Sequence, residues 1–203
     1  HIETDEVTGA TYGPLKVMCE QLVNDTFNEQ ALIIRPCIVV GPHDPTDRFT
    51  YYAQKLGEGG KIAVPGGNEP HRKVQWIDVR DMAKWIVQKV EEGKTGTFNV
   101  ASNSLSMNEF IDEIASVDIE KVWVSDDVLE SADLGVRRYP FWMPISKDYP
   151  EGFFVVENQH AVDNGLTFRP LAETAQDTRD WALNRELKAG PTPQQEQAFL
   201  KNK

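Results

Sequence analysis

The stretch that decides the fold is Ala31-Leu-Ile-Ile-Arg-Pro-Cys-Ile-Val-Val-Gly-Pro42. It is a short apolar run rich in branched residues, bounded at its end by a glycine and a proline. Such a run without polar alternation predicts a strand buried on both faces, which is typical of a parallel sheet. A sheet covered on both faces needs helices around it, so this stretch predicts an α/β protein.

An amphipathic helix is predicted immediately before this strand. Pro14 is tolerated only in the first turn of a helix, which sets its start near residues 9–12, with Thr8 or Thr11 as the cap. The spacing of its apolar residues predicts a buried stripe. That stripe consists of Leu15, Met18, Cys19, Leu22 and Val23.

Tyr12 and Lys16 stand four residues apart at the head of this helix, on the same face. An ammonium beside a phenol stabilises the phenolate, and a tyrosine so placed can exchange a proton with a reacting oxygen. The pair therefore suggests redox chemistry at a carbonyl or an alcohol, although a solvated surface tyrosine beside a lysine has the same spacing.

Further along the chain, strands and helices alternate. Asp47 is predicted to cap a helix that runs through Leu56, and Ser106 with Glu109 forms a capping box before another helix. Strands are predicted at 61–64, 73–77, 97–101 and 121–125, and a last long helix over 171–182. This alternation again predicts a parallel sheet.

Composition excludes several classes of partner. The 21 basic against 32 acidic residues give a net charge of −11, which argues against binding to nucleic acid or to anionic membranes. No long apolar run predicts a membrane anchor. Cys19 and Cys37 lie in apolar stretches, so we expect buried free thiols and a cytoplasmic, reducing environment. No cluster of Cys and His has metal-ligand spacing, so we expect no metal.

The order Tyr12-x-x-x-Lys16, helix, strand and Arg35-Pro36-x-x-Val39-x-Gly41-Pro42 resembles the extended short-chain dehydrogenase/reductase family, the NAD-dependent epimerase/dehydratases. Two later stretches, 77–83 and 165–171, fit the same resemblance. It implies that residues 1–40 and 77–101 complete a Rossmann-type parallel sheet. Residues 41–76 and 102–188 would then form a smaller α/β substrate-binding domain, with a C-terminal tail at 189–203.

The family begins with a glycine-rich turn that holds the cofactor pyrophosphate, and no such motif occurs in this sequence. The family's Ser or Thr, which normally lies well upstream of the tyrosine, has no counterpart here either. We therefore expect the chain to correspond to the C-terminal portion of a larger enzyme and to be inactive alone.

The resemblance also implies roles for individual residues. Tyr12 would be the general acid and base, with Lys16 as its electrostatic partner and as a ligand of the nicotinamide ribose. The nicotinamide end of NAD or NADP would lie along the backbone of Pro36, Cys37, Ile38 and Val39. Pure core packing is the alternative for that backbone segment.

Substrate residues are predicted from the loop that follows the strand and from one later arginine. His43, Asp44, Asp47 and Arg48 belong to this loop. Arg72 is a displaced candidate for the phosphate-binding arginine of sugar-nucleotide enzymes. The cluster Phe141-Trp142-Met143 is a candidate for the wall of an apolar pocket, or for satellite core.

Three functions remain open at this point. The first is part of an NAD(P)-dependent oxidoreductase acting on a small carbonyl or alcohol. The second is a sugar-nucleotide epimerase or dehydratase, and the third is a non-catalytic scaffold or binding protein that keeps the fold. A small-molecule substrate is the expected partner of the first two, and the family suggests a homodimer through the Tyr12–Lys16 helix.

Overall fold

The computed structural model describes residues 4–28, 30–66, 71–132, 139–147 and 149–201. Within them the helices are α1 (Tyr12–Phe27), α2 (Arg48–Glu58), α3 (Val79–Glu91), α4 (Met107–Ile114), α5 (Asp126–Ser131), α6 (Gln159–Asp163), α7 (Leu171–Trp181) and α8 (Pro193–Lys201). The strands are β1 (Leu32–Pro36), β2 (Ile38–Val40), β3 (Gly60–Pro65), β4 (Lys73–Val74), β5 (Trp76–Asp78), β6 (Gly96–Val100), β7 (Leu105–Ser106) and β8 (Ile119–Val124).

The strands pair mostly in parallel, as the sequence predicted. β1 pairs with β6, β2 with β5 and β3 with β8, all parallel, whereas β4 and β7 are antiparallel. In the β2–β5 pair, Ile38 is opposite Trp76 and Val40 is opposite Asp78. The chain is therefore a mixed α/β protein, and the end of β2 lies beside the start of α3.

Two apolar clusters form the interior. The larger one is built around the aromatic side chains of α2 and α4, such as Phe49, Tyr52 and Phe110, all fully buried. The smaller one joins Trp85 of α3 to Phe98 of β6. Their rings meet edge to face with centroids 5.2 Å apart, a favourable geometry for aromatic pairs.

Helix α1 begins at Tyr12, inside the predicted window, and the Thr8 hydroxyl accepts a hydrogen bond from the backbone N–H of Thr11. The prediction that α1 carries a buried stripe is wrong. None of its described residues is buried, and Leu22 is 68% exposed. Burial requires a facing apolar layer, and the tie from α1 to β1 is polar, between Glu20 and Arg35.

The cysteines follow from this packing. Cys19 lies on α1 and is exposed, so the expectation of two buried thiols is wrong for this residue. Cys37, next to β2, is partly buried, and burial raises the pKa of its thiol to about 12. Removing a thiolate from water is unfavourable, which explains the direction of the shift.

The capping predictions had different outcomes. The capping box of Ser106 and Glu109 is confirmed, with each side chain bonded to the other residue's backbone N–H. Helix α2 begins at Arg48 as expected, but the Asp47 side chain makes no capping hydrogen bond. Its backbone is left-handed, with φ 55°, and its carboxylate is used elsewhere.

The polar tail predicted from residue 189 onward is also wrong over most of its length. Residues 193–201 form α8, and Phe199 on this helix is buried in the larger cluster. Glu196 forms an ion pair with Lys55 of α2 at 3.1 Å. Residues 202 and 203 lie outside the described residues.

Among the described helices, none has the length and apolar character needed to cross a lipid bilayer.

Candidate active site

The loop between β2 and α2 has an unusual backbone. Gly41 has φ 120°, His43 has φ 71° and Asp47 has φ 55°. A Cβ atom on Gly41 would lie 3.6 Å from a carboxylate oxygen of Asp78 and 3.5 Å from Val79. The loop therefore turns tightly over the start of α3, and its positive φ angle explains the glycine at this point.

A cavity of about 350 Å³, which we call the loop cavity, lies against this loop. Its walls include Cys37 and Val39 from the segment predicted to follow the nicotinamide, together with His43 and Arg48 from the predicted substrate loop. The remaining lining residues are Val40, Gly41, Pro42, Asp44, Pro45, Thr46 and Val79. The structure thus brings together two groups of residues that the sequence assigned to neighbouring roles.

Asp44 is a buried carboxylate of the loop cavity with one oxygen bonded and the other unpaired among the described residues. It is 8% exposed, and its Oδ1 accepts hydrogen bonds from the Thr46 backbone N–H at 2.8 Å and from the Thr46 hydroxyl at 2.6 Å. Its Oδ2 has no hydrogen-bond partner among the described residues. A buried carboxylate oxygen left unpaired is costly, so this atom needs a donor that the described residues do not supply.

A second cavity of about 370 Å³, which we call the aromatic cavity, shares Thr46 and Arg48 with the first. Ile38 lines it, whereas Cys37 and Val39 line the loop cavity, as alternation along an extended strand requires. The other lining residues are Tyr139, Pro140, Phe141, Trp142, Met143, Phe153, Phe154, Lys188 and Ala189. The predicted cluster at 141–143 therefore does line an apolar pocket.

The loop is also held by the end of α7 and by the segment that follows it. The His43 ring lies 5.1 Å from the Trp181 ring, and the Arg185 guanidinium lies 4.0 Å above that same tryptophan. Asp47 is fully buried, accepts a hydrogen bond from the Lys188 backbone N–H at 3.1 Å and lies 3.6 Å from Arg185. Asp47 lines neither cavity and instead fixes the loop to this segment.

Arg72, the candidate phosphate ligand, is 7% exposed and lines neither cavity. Its guanidinium donates to Asp126 at 2.6 Å and to the Met143 carbonyl at 3.0 Å. These contacts support the backbone beneath the aromatic cavity.

Tyr12 and Lys16 remain together on the first turns of α1. Both are exposed, Tyr12 by 59%, and neither lines the two cavities. Pro36 is likewise exposed at the end of β1.

The comparison with protein families identifies the chain. Residues 2–101 match the model of the NAD dependent epimerase/dehydratase family. The chain belongs to this family over that half of its length. No curated protein matches it significantly.

Solved structures of epimerase/dehydratase type share its fold. They include UDP-glucose 4-epimerase of Thermus thermophilus in complex with NAD, at 13% identity and TM-score 0.54, covering 88% of this chain and 59% of that one. A dTDP-4-dehydrorhamnose reductase of Clostridium acetobutylicum has 19% identity and TM-score 0.56, covering 88% and 58%. UDP-N-acetylglucosamine 4-epimerase of Methanobrevibacter ruminantium, in complex with UDP-N-acetylmuramic acid, has 16% identity and TM-score 0.54, covering 89% and 56%.

The chain thus spans a little over half the length of these three epimerase and reductase structures. At these identities the likeness concerns the fold, which is Rossmann-like.

Sequence reasoning missed several residues of this family member's cavities. Phe153 and Phe154 line the aromatic cavity, and the apolar run from Phe153 to Val156 was a usable signal. No signal in the sequence marked Lys188, because it is one charged residue in the polar run after α7. Only the tertiary structure brings it to the cavity.

Proposed function

We propose that this chain is part of an NAD(P)-dependent oxidoreductase that acts on a small carbonyl or alcohol. The observation that carries the proposal is the loop cavity, which is lined by Cys37, Val39 and Asp44, a buried carboxylate whose Oδ2 has no partner among the described residues. Family membership supplies the cofactor class, and Asp44 supplies an acceptor for a substrate hydroxyl.

The residues present fit a nicotinamide group. The wall of the loop cavity is apolar at Cys37, Val39 and Val79, and Gly41 contributes no side chain that would fill the space. When bound, the nicotinamide would supply or accept the hydride. The neutral thiol of Cys37, whose pKa is raised by burial, adds no charge to this wall.

The acid–base function is assigned to Tyr12, with Lys16 one turn further along α1. The phenol would donate a proton to a carbonyl oxygen in reduction and accept one from an alcohol in oxidation. The ammonium would stabilise the phenolate between these events. Both side chains are exposed and line neither cavity, so this assignment rests on the family and on the spacing of the two residues.

Arg72 supports a small substrate over a nucleotide sugar. A nucleotide-sugar site needs a cation for the phosphates, and Arg72 was the candidate in this sequence. Its guanidinium donates instead to Asp126 and to the Met143 carbonyl. The sugar-nucleotide alternative would therefore need another cation for that role.

The test uses the complete product of the gene that encodes this chain. We expect consumption of NADH or NADPH with small aldehydes or ketones, and a loss of about a hundredfold or more in kcat for Tyr12→Phe. Lys16→Met should also lower kcat, whereas Lys84→Met, an exposed lysine on α3, should not. Isomerisation of a nucleotide sugar without net use of the dinucleotide, or full activity of Tyr12→Phe, would refute the proposal.

A further inference from the structure

We propose that the aromatic cavity binds the non-reacting end of the substrate, and that this end is a compact apolar or aromatic group carrying one carboxylate. The inference rests on the proposed function and names its substrate class. Its support is the combination of apolar walls and two cations around one cavity, neither of which forms an ion pair with a described carboxylate.

Most of the lining residues of the aromatic cavity are apolar or aromatic. The Tyr139 hydroxyl donates to the Ala63 carbonyl, and the Trp142 indole N–H donates to Asp126 at 2.9 Å. Phe141 is buried beside them. Because the polar atoms of both amphipathic rings are already bonded to the protein, the cavity favours an apolar group that displaces water.

Two positive side chains, Arg48 and Lys188, line the same cavity. The Nε of Arg48 donates to the Thr46 hydroxyl at 3.0 Å, and no described carboxylate lies within ion-pair distance of either cation. Both residues are exposed, and both border one cavity of a chain whose net charge is −11. They would form charge-assisted hydrogen bonds with an anion.

The cavity also lies beside a helix end, with the Asp47 carboxylate directly before it. Arg48 is the first residue of the eleven-residue helix α2, and the Asp47 side chain does not cap that helix. The amino end of a helix carries a partial positive charge within its first turn. Arg48 also belongs to the loop cavity, so an anion bound there would be adjacent to the proposed reaction site.

Size restricts the ligand to a small molecule. A cavity of about 370 Å³ is at the lower end of the range for small-molecule sites, roughly 300–1,000 Å³. Arg72, the candidate phosphate ligand of a nucleotide sugar, forms an ion pair with Asp126 and lines neither cavity.

Binding can be measured on the 203-residue chain without a cofactor. The probes are phenylpropanoate, its neutral analogue phenylpropanol and uridine diphosphate, followed by tryptophan fluorescence because Trp142 lines the cavity. We expect saturable binding of the acid, about tenfold tighter than that of the alcohol, as charge-assisted bonds are stronger than neutral ones. In Trp142→Phe, calorimetry should still detect binding of the acid while the fluorescence change is lost. That result would assign the optical signal to Trp142.

Variants separate charge from packing. Arg48→Gln and Lys188→Gln should each lower the affinity for the acid several-fold and leave the affinity for the alcohol unchanged. Lys188→Gln keeps the backbone N–H that donates a hydrogen bond to Asp47. Phe153→Ala, at a half-exposed position of the wall, should weaken both probes. Lys84→Gln, remote on α3, is the matched control and should change neither.

The inference is overturned if the acid does not bind, if the alcohol binds as tightly, if Arg48→Gln and Lys188→Gln leave the acid unaffected, or if uridine diphosphate binds in its place. These outcomes are separate from failure of the proposed function, which is read from NADH or NADPH consumption and from Tyr12→Phe. If the acid binds but the enzyme shows no turnover, the proposed binding site stands and only the proposed oxidoreductase function is refuted.

Discussion

The hydroxyl of Thr174 donates a hydrogen bond to Asp78 at 2.7 Å, joining α7 to the end of β5 across 96 positions of the chain. Asp78 is 3% exposed, caps α3 by accepting from the Arg80 backbone N–H, and also accepts from the Arg80 guanidinium. The Arg80 guanidinium also forms an ion pair with Asp177 on α7. This network fixes α7 against the end of β5, directly before Val79 in the wall of the loop cavity.

Asp78→Asn should therefore destabilise the fold by about 2 kcal/mol, because it removes the charge from a buried ion pair and leaves Arg80 poorly compensated. Asp177→Asn is the matched control, since it pairs with the same arginine but is 39% exposed on its side chain. We expect it to cost less than about 1 kcal/mol. Urea unfolding of both variants and of the parent chain measures the loss of unfolding free energy. Equal losses in the two variants would show that burial of Asp78 does not make its ion pair more important than that of Asp177.

The same carboxylate predicts a pH dependence of stability. Burial would raise the pKa of Asp78, but hydrogen bonds from Arg80 and Thr174 outweigh it and hold that pKa below its ordinary value. A carboxylate with a lowered folded-state pKa contributes stability above its unfolded pKa, about 3.9, and loses it as pH falls through the folded value. The difference in unfolding free energy between the parent chain and Asp78→Asn should thus shrink below about pH 4. A constant difference down to the acid transition would contradict it.

Gly190→Ala should destabilise the chain by about 2 kcal/mol or more, because the new Cβ would clash with the buried Tyr51 ring and the residue has φ 80°. Gly152→Ala is the control, since nothing lies within 4 Å of its Cβ position. Thermal unfolding should separate the two variants. Similar midpoints would mean that the segment before α8 is not fixed to α2.

The two cysteines should differ in their reaction with a thiol reagent. Cys19 is exposed on α1, whereas burial raises the pKa of Cys37 from 9.0 to about 12. A rise of this size lowers the thiolate fraction at neutral pH by roughly a thousandfold, and the thiolate is the reacting species. Alkylation followed by peptide mass analysis should find Cys19 modified first. Equal rates in the folded chain would contradict the burial of Cys37, and urea should bring the rates together.

Asp44→Asn should lower kcat/KM for an alcohol or carbonyl substrate by about tenfold, since one buried acceptor for the substrate is replaced by a donor. The bonds to Thr46 can persist through the remaining oxygen. Removing an unpaired buried charge should leave the stability unchanged or raise it. If Asp44 served only in folding, Asp44→Asn would instead lower the unfolding midpoint. Asp127→Asn, at an exposed position, is the control for the change in net charge.

Local patterns were enough to predict most elements of the fold. The strand at 32–36, the start of α1 at Tyr12, the capping box of Ser106 and the start of α2 at Arg48 all occur within a residue or two of their predicted positions. Each depends on chain neighbours only, such as the period of the side chains or the residue that begins a helix. The juxtaposition of Cys37 with His43 was predictable for the same reason, because one short loop joins them.

The sequence by itself determined the α/β class, the parallel pairing and the segment that carries the candidate site. Tertiary structure alone decided that the apolar side of α1 is exposed, that Asp47 faces Lys188 and that Arg72 pairs with Asp126. It also assembled the aromatic cavity from Ile38, Phe141 and Lys188. The physical reason is that periodicity shows which face of an element is apolar, whereas burial and ion pairing depend on partners far away in the chain.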